Sequence, residues 1–391
     1  MRFPEFQGEW EKCKLGDIAT LTKGSGISKD QRSATGTPCI LYGELYTTYK
    51  SEVIDYVVSR TDISDKNLVR SCANDIIIPS SGETAIDIST ARCVLSPDVL
   101  LGGDLNIIRL KDGDGRFFSY QLNGVRKHDI AKIAQGVSVV HLYGESIKGL
   151  TVSFPSNKEQ QKISTLLSLI DERIATQSKL IEKLESLIKG ILVELQKQGV
   201  NKGTWKKVFL SDILTERNEH NTNLLQVFSV SVSQGVVNQI DYLGRSFAAK
   251  DTSKYNVVHY GDLIYTKSPT GSFPYGIVKQ SLNLENVAVS PLYGVYKPKS
   301  LAVGAYLHEY FMSEINTHNY LHPLIQKGAK NTINITNQRF LENCVLLPTN
   351  INELLQISKL LRSLNNKIKY QQDTLQQYQK QKQYLLRQMF I

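Results

Sequence analysis

The sequence lacks the features that would place it outside the cytoplasm. Its five cysteines are scattered and form no C-x-x-C motif, which argues against a disulfide framework and against a cysteine-based zinc site. No apolar run approaches the ~18 residues of a membrane span. The opening residues, MRFPEFQGEWEKC, contain no apolar stretch of a signal peptide. We therefore expect a cytoplasmic protein without a membrane partner.

Motifs for catalysis are also missing. There is no G-x-x-x-x-G-K-[ST] phosphate loop, no G-x-G-x-x-G after a strand, and no [DN]-P-P-[YF] tetrapeptide of adenine methyltransferases. Asp75, Glu83 and Asp87 lack the lysine expected in a nuclease cluster, so we interpret them as turn and capping residues. His318 and His322 lie four residues apart, which is too few ligands for a metal site. The sequence predicts a binding protein with no cofactor, no metal and no catalytic residues.

Charge is distributed unevenly between the two halves of the 391-residue chain. Residues 1–199 carry 25 Lys and Arg against 25 Asp and Glu, whereas residues 200–391 carry 21 against 12 and account for the whole net charge of +9. A basic balance favours a polyanionic partner. A protein that held DNA by charge alone would not leave half of itself neutral, so we expect other subunits to contribute to DNA affinity.

Three pairs of similar segments recur in the same order in the two halves, which predicts a tandem repeat. The first pair contains the only two tryptophans of the chain. The pairs are Trp10–Thr20 with Trp205–Thr215, Asn74–Gly82 with Gly261–Gly271, and Val152–Asn157 with Val345–Asn350. The globular part of each repeat mixes short β-branched runs with Gly, Pro, Asn and Asp, which is typical of a mixed α/β domain with many loops.

Each repeat ends in a long heptad pattern. Apolar positions alternate at intervals of four and three, the spacing that keeps one seam of a helix facing a partner helix. A glutamine interrupts both patterns at the same heptad place. The first series runs Ile163, Leu167, Ile170, Ile174, Gln177, Ile181, Leu184, Ile188, Ile191, Leu195, and the second runs Ile357, Leu361, Leu364, Ile368, Gln371, Leu375, Tyr378, Lys382, Leu385, Met389.

These patterns predict an α+β protein in which two pseudo-repeated mixed α/β domains are joined by two long helices that form an antiparallel coiled coil. The predicted boundaries are 1–155 for the first domain, 156–199 for the first helix, 200–348 for the second domain and 349–391 for the second helix. The antiparallel register pairs Ile163 with Met389. It places Gln177 and Gln371 in adjacent polar layers, and directs the Lys382 amine outward along its stem.

The organisation resembles the specificity subunit of type I restriction-modification enzymes. The resemblance covers essentially the whole chain, and its most specific parts are W-x-x-x-x-L-G-D-I at Trp10–Ile18 and E-Q-Q-K-I-S-x-L-L-S-x-I-D at Glu159–Asp171. The second copy departs from the pattern, since Pro348 and Glu353 are separated by one extra residue and the E-Q-Q triplet is absent.

The resemblance implies a division of labour. Each globular domain is a target recognition domain that reads one half of a split, asymmetric DNA site, and the paired helices set the spacer. The implied partners are double-stranded DNA, two methylation subunits that use S-adenosylmethionine to methylate adenine, and restriction subunits that act as ATP-dependent translocases and nucleases. None of these cofactors is expected to bind this chain directly.

Candidate DNA contacts are basic, hydroxyl, amide or aromatic residues in polar loops. In the first domain they are Lys23, Ser25, Lys29, Arg32, Tyr42, Tyr46, Ser80, Ser81, Thr84 and Ser138. In the second domain they are Arg217, Arg245, Lys250, Lys254, Lys267, Ser268, Thr270, Lys327, Lys330 and Asn331. The alternatives are a stand-alone nuclease with an unrecognised active site, and a coiled-coil structural adaptor without sequence-specific DNA binding.

Overall fold

The computed structural model describes residues 2–64, 67–327 and 333–390, and the chain divides into two compact units. Unit 1 comprises Met1–Ser178 and Asp373–Ile391, and unit 2 comprises Lys179–Gln372. Each unit therefore contains one globular part together with half of each long helix.

Unit 1 is a mixed α/β unit, as the alternation of short apolar runs and turn residues predicts. Its strands are β1 (Glu11–Lys14), β2 (Ala19–Lys23), β3 (Thr37–Ile40), β4 (Val53–Ile54), β5 (Ser59–Thr61), β6 (Asp75–Pro79), β7 (Ser81–Gly82), β8 (Arg92–Val94), β9 (Leu100–Leu101), β10 (Leu105–Leu110), β11 (Val140–His141) and β12 (Thr151–Phe154). Its helices are α1 (Leu15–Ile18), α2 (Glu44–Thr47), α3 (Ala85–Ile88), α4 (Gly115–Asn123), α5 (Lys127–Ile133), α6 (Gly144–Lys148) and the first half of α7 (Asn157–Asn201).

The main sheet of unit 1 has the strand order β2-β10-β6-β8-β4, in which β4 and β8 are parallel and the other neighbours are antiparallel. A smaller sheet has the order β5-β3-β9. Strands β1 and β12 pair antiparallel, with Glu11 opposite Phe154. This pairing closes the globular part immediately before α7 begins.

Unit 2 contains the second half of α7 and the remaining elements up to the middle of α13. Its strands are β13 (Trp205–Phe209), β14 (Leu214–Glu216), β15 (Phe228–Ser231), β16 (Gly235–Asn238), β17 (Asn256–Val258), β18 (Leu263–Tyr265), β19 (Val278–Gln280), β20 (Val287–Val289), β21 (Gly294–Pro298), β22 (Gln326–Lys327), β23 (Ile333–Asn334) and β24 (Cys344–Pro348). Its helices are α8 (Leu210–Ile213), α9 (Gln239–Leu243), α10 (Leu301–Tyr310), α11 (Glu314–Leu321), α12 (Asn337–Phe340) and α13 (Ile351–Gln388), of which residues after Gln372 belong to unit 1.

The main sheet of unit 2 repeats four of the five strands of the main sheet in unit 1, which confirms the tandem repeat. Its order β14-β21-β18-β19 corresponds to β2-β10-β6-β8, and β13 pairs antiparallel with β24 as β1 does with β12. The smaller sheets of the two units differ. Each pair of recurring sequence segments occupies corresponding elements. The Leu-x-Asp-Ile segments form α1 and α8, the apolar runs before the serine-rich loops form β6 and β18, and the Val-x-x-Pro segments form β12 and β24.

The two heptad series form the long helices α7 and α13, as predicted. Every predicted heptad position is buried or half-buried, including Gln177 and Gln371, because the 4-3 spacing keeps these side chains on one face. Within the described part of the chain, no helix is long and apolar enough to cross a membrane.

In unit 1 the two helix segments run antiparallel and complete the domain core. The core cluster includes Leu167 from α7 and Leu385 from α13, together with Phe390, whose ring lies 5.1 Å from that of Phe117 in α4. The guanidinium of Arg173 lies 5.9 Å from the ring of Tyr378. Lys382, further along α13, contacts Asp171, earlier along α7. The predicted antiparallel orientation is therefore confirmed within unit 1.

The expected direction of the Lys382 side chain is wrong. Its amine does not reach solvent but forms ion pairs with Glu52 and Asp171, and all three side chains are at most 13% exposed. Burial alone would lower the pKa of Lys382, but the two carboxylates outweigh burial and raise this pKa above its usual value. Asp171 also accepts hydrogen bonds from the Tyr120 hydroxyl at 2.8 Å and the Ser51 hydroxyl at 2.9 Å.

Candidate nucleic-acid interface

Four of the candidate residues of unit 1 line a single open cleft of about 1030 Å³. Lys29 lies in a short 3-10 turn, Lys29–Gln31, that is held by the Gln31 side chain accepting a hydrogen bond from the Ser28 amide. Arg32 follows this turn. Tyr42 and Tyr46 flank the start of α2, and both side chains are more than a third exposed. The cleft thus presents two aromatic hydroxyls together with two cationic side chains.

A buried carboxylate organises this cleft. Glu44, which is 6% exposed, accepts hydrogen bonds from the Leu41 amide at 2.9 Å and from the Ser59 hydroxyl. The Arg32 guanidinium lies 3.6 Å from the same carboxylate. Because these donors neutralise Glu44, the carboxylate positions the cleft wall without presenting its charge to a polyanion. Burial raises the pKa of Tyr46, so its hydroxyl keeps its proton and remains available as a donor.

The serine-rich segment after β6 lies beside the cleft. The Ser80 hydroxyl is 3.5 Å from Asp104, which lines the cleft, and Ser81 in β7 pairs with His141 in β11. This pairing brings the exposed loop that carries Ser138 next to the same segment. Thr84 is committed to local structure, because its hydroxyl caps α3 by accepting a hydrogen bond from the Asp87 amide at 3.1 Å.

Two further candidates of unit 1 lie away from these lining residues. Lys23 is exposed at the end of β2. The Ser25 hydroxyl accepts a hydrogen bond from the Val69 amide at 2.8 Å and therefore holds a loop. Asp75 and Asp87 have the local roles expected of them, since Asp75 accepts a hydrogen bond from the Cys72 amide and Asp87 accepts one from the Thr84 hydroxyl that caps α3. Asp75 has a second role, because it also forms a two-pronged ion pair with Arg109.

The candidates of unit 2 are more dispersed. Arg217 is occupied by a two-pronged ion pair with the buried Asp262, at 2.6 and 3.1 Å, and its side chain is only 19% exposed. Lys250 and Lys254 are exposed, as is Arg245, whose guanidinium lies 4.5 Å from the ring of Phe247. This arrangement leaves Arg245 and the two lysines, but not Arg217, accessible to a polyanion.

The loop between β18 and β19 holds three candidates in a tight conformation. Lys267 has a φ of 60°, a left-handed conformation that is uncommon for a residue with a side chain. A Cβ at Gly276 would lie 2.8 Å from the Lys267 amide nitrogen, so only glycine allows this approach. Burial lowers the pKa of Lys267, whereas Ser268 is exposed and Thr270 is half-buried. Strain of this kind is found preferentially at functional loops.

Three candidates, Lys327, Lys330 and Asn331, belong to the segment from residue 326 to 333. Lys330 and Asn331 lie outside the described residues, and the structure describes the backbone of Lys327 at the end of β22 without its side chain. Their role in DNA contact stays a prediction.

An exposed cluster of rings was missed by the sequence interpretation. The imidazoles of His318 and His322 are stacked, with centroids 5.1 Å apart and planes at 17°, and the Tyr275 ring lies 5.3 Å from His318 and 6.0 Å from His322. The described residues contain no group of three or more potential metal ligands. The spacing of four residues between the histidines was visible in the sequence, but Tyr275 reaches them only through the fold.

The comparisons with known proteins agree with the resemblance found in the sequence. Residues 7–186 match the family model of the type I restriction modification DNA specificity domain. The MjaVIII type I restriction enzyme specificity subunit of Methanocaldococcus jannaschii is 24% identical over 207 residues, which is 51% of this chain and 44% of that protein. The protein named as the MjaX specificity subunit of the same organism is 26% identical over 208 residues, covering 50% of this chain and 47% of that protein.

The chain thus spans about half the length of the curated relatives it matches. A solved structure resembles it over its full length: the S subunit of a type I restriction-modification system from M. genitalium has a TM-score of 0.66 at 15% identity, covering 100% of this chain and 99% of that one. At this identity the likeness concerns the fold, which is α+β in both. Together, the family model over residues 7–186 and the specificity subunits among the relatives confirm the resemblance to the specificity subunits of type I restriction-modification enzymes.

Proposed function

We propose that this chain is the DNA-recognition subunit of a type I restriction-modification complex, and that each unit reads one half of a split, asymmetric site. The observation that carries the proposal is the same order of four strands in the main sheets of two units whose other segments differ. Two units with the same framework but different loops can each bind DNA in a similar way while recognising different base sequences. This is because specificity resides in the side chains that reach base edges.

In this proposal the cleft of unit 1 faces DNA. Lys29 supplies charge for phosphates, while Arg32, Tyr42, Tyr46 and the serines of the neighbouring segment supply donors and ring faces for base edges. In unit 2 the corresponding residues are Lys267, Ser268, Thr270, Arg245, Lys250, Lys254 and the lysines and asparagine of the 326–333 segment. The chain itself carries out no chemistry. Two methylation subunits would dock on it and methylate adenine, restriction subunits would cleave, and the paired helices would set the spacing of the half-sites.

The test is the methylated motif produced by the complex. The chain is co-expressed with its methylation subunits, and adenine methylation is mapped on genomic DNA by long-read sequencing. Replacing residues 200–348 with the corresponding domain of another specificity subunit should change one half of the motif and leave the other half intact. The matched control replaces residues 1–155 and should change the opposite half.

A motif that changes in both halves after either replacement would contradict the assignment of one half-site to each unit. A complex that methylates without sequence preference would favour the structural adaptor instead. The spacer is tested separately by inserting about one helical turn, four residues, after Leu195 in α7. We expect a longer preferred spacer with both half-sites unchanged. An unchanged spacer would assign that distance to the partner subunits.

A further inference from the structure

The ring cluster of unit 2 lies at the surface, where a helix, a 3-10 turn and a loop come together. We define it as His318 in α11, His322 at the start of the following 3-10 turn, and Tyr275 in the loop between β18 and β19. Both histidines are exposed, and Tyr275 is half-buried. The loop that carries Tyr275 also carries Lys267, and the chain after His322 leads directly into β22.

The surrounding structure holds the cluster in place. The Tyr265 hydroxyl donates to the Tyr275 carbonyl at 2.7 Å, and the Ser272 hydroxyl donates to Glu314 in the first turn of α11 at 2.5 Å. On the opposite face of α11, Tyr320 is 2% exposed and donates to the Phe340 carbonyl at 2.6 Å. These hydrogen bonds connect the loop between β18 and β19 with α11 and fix α11 on the core. The two imidazoles are thereby held side by side at the surface.

The His318 and His322 imidazoles have no evident structural role within unit 2. In contrast, His308 accepts a hydrogen bond from the Gln280 amide at 2.9 Å through Nδ1 and is part of the interior. Within the described part of the chain, the ring contacts of His318 and His322 are with each other and with Tyr275, and neither imidazole has a side-chain hydrogen bond or an ion pair. Two exposed, stacked imidazoles offer ring nitrogens to a ligand at the surface. A neutral imidazole has one N–H donor and one acceptor nitrogen, so the pair can supply two donors to one group.

We propose that His318 and His322 together bind one phosphate of the DNA backbone beside the half-site read by unit 2, with Tyr275 positioning the two rings. This inference rests on the proposed function and adds the group that the pair recognises. A phosphodiester is anionic and can accept hydrogen bonds from two donors at once, so one such group can bridge the two imidazoles. Lys267, Ser268 and Thr270 belong to the same loop between β18 and β19 as Tyr275, so this loop carries candidate DNA contacts as well as the ring that positions the imidazoles. Phosphate contacts of this kind fix orientation on the duplex.

The test measures DNA affinity of the complete complex with its methylation subunits, in EDTA, on a duplex carrying the methylated motif. The dissociation constant is determined over a range of salt concentrations for the wild type and for the double variant His318→Gln, His322→Gln. We expect about tenfold weaker binding and a slope of log K against log salt reduced by about 1, the signature of one lost phosphate contact. The matched control is His220→Gln, an exposed histidine of the same unit, which should change neither quantity.

Two further measurements separate phosphate binding from a structural role. The double variant His318→Lys, His322→Lys keeps positive charge and should retain most of the affinity and the salt slope, whereas a role in packing would not be rescued. Methylphosphonate substitution, one phosphate at a time, should identify a position where neutralisation weakens the wild type about tenfold and leaves the glutamine variant unaffected.

Failure of this inference is distinguishable from failure of the proposed function. A glutamine variant with wild-type affinity and salt slope, in a complex that still methylates its split motif, would overturn the phosphate site alone. A wild-type complex without sequence preference would overturn the proposed function, and the phosphate site with it.

Discussion

The two units place different chemistry at corresponding positions of their long helices. The helices align without gaps from Ile163 with Ile357, so that Asp171 corresponds to Asn365 and Lys382 corresponds to Ile188. In unit 1, Asp171 and Lys382 form a buried ion cluster with Glu52. In unit 2, Ile188 is 4% exposed, and Asn365 donates to the buried Glu309 instead. One fold therefore accommodates a lysine paired with two acids at this place in unit 1, and an isoleucine with an asparagine bound to one acid in unit 2.

The difference shows that each helix segment carries side chains that suit the interior of its own unit. A lysine opposite two buried acids satisfies them, whereas an isoleucine in the same place would leave two carboxylates without a cation. The charge of Lys382 thus matches the interior of unit 1, as the apolar Ile188 matches that of unit 2. Buried polar groups that specify register in this way contribute little net stability, but removing one partner is costly.

The largest effect is expected from Lys382→Met in unit 1. The substitution keeps an apolar stem of similar length but leaves Glu52 and Asp171 buried without a cation, so we expect a loss of about 3–5 kcal/mol in the free energy of unfolding of unit 1. Urea unfolding followed by Trp10 fluorescence, in a Trp205→Phe background, reports on this unit because Trp10 packs on its core.

Two further variants serve as a control and as a rescue for this prediction. Lys380→Met removes an exposed lysine of the same helix and should cost less than about 0.5 kcal/mol. The triple variant Glu52→Gln, Asp171→Asn, Lys382→Met removes the buried charges together and should recover most of the loss. A single variant as stable as the wild type would mean that the ion cluster does not hold α13 on unit 1.

A smaller effect is expected from His308 in unit 2. Burial, followed by the neighbouring Lys279, lowers the pKa of His308 to about 3. Between about pH 3 and 6.5 this histidine is therefore protonated in the unfolded chain, where its pKa is about 6.5, but neutral in the folded chain. The stability contributed by neutral His308 is present above pH 6.5 and is lost as the pH falls, by up to about 1.4 kcal/mol per pH unit.

His308→Gln should make this acid dependence shallower. Glutamine retains an acceptor for the Gln280 amide but does not titrate. The measurement is urea unfolding of unit 2, followed by Trp205 fluorescence in a Trp10→Phe background, at several values between about pH 4.5 and 7.5. His128→Gln, at an exposed position of unit 1, serves as the control. Identical slopes in the wild type and the His308 variant would show that this histidine is not held neutral.

The comparison also shows which features the sequence predicts. Periodicity predicts the long helices, and recurring segments predict the repeat, since both depend on local spacing. The contacts of Lys382 escaped prediction because Glu52 and Asp171 are distant in sequence, and a lysine on an apolar seam is ordinarily expected to reach solvent. Among the candidate contacts, residue type alone did not distinguish Arg217, which pairs with Asp262, from Lys29, which lines an open cleft.

The junctions between domain and helix differ in the partner of the glutamate in the first turn of the long helix. In unit 2 the Trp205 indole donates to Glu353 at 2.7 Å, whereas in unit 1 the corresponding Glu159 binds Arg2, and the Trp10 nitrogen is buried with no hydrogen-bond partner among the described residues. The E-Q-Q triplet at Glu159 therefore serves the fold of unit 1. The second copy lacks this triplet, but its junction between domain and helix is held by a different hydrogen bond, from Trp205 to Glu353.

The smallest effect is expected when each tryptophan is replaced by phenylalanine. Both substitutions remove similar apolar area, but only Trp205→Phe removes a hydrogen bond to a carboxylate, so it should cost about 1 kcal/mol more in its own unit than Trp10→Phe costs in unit 1. Circular dichroism during urea unfolding supplies the measurement, since each variant loses one fluorophore. A double-mutant cycle with Glu353→Ala isolates the bond, because in the alanine background Trp205→Phe should cost no more than Trp10→Phe. Equal costs of Trp205→Phe with and without Glu353 would mean that the indole contributes to this junction through packing on Tyr306 alone, whose ring centroid lies 5.8 Å away.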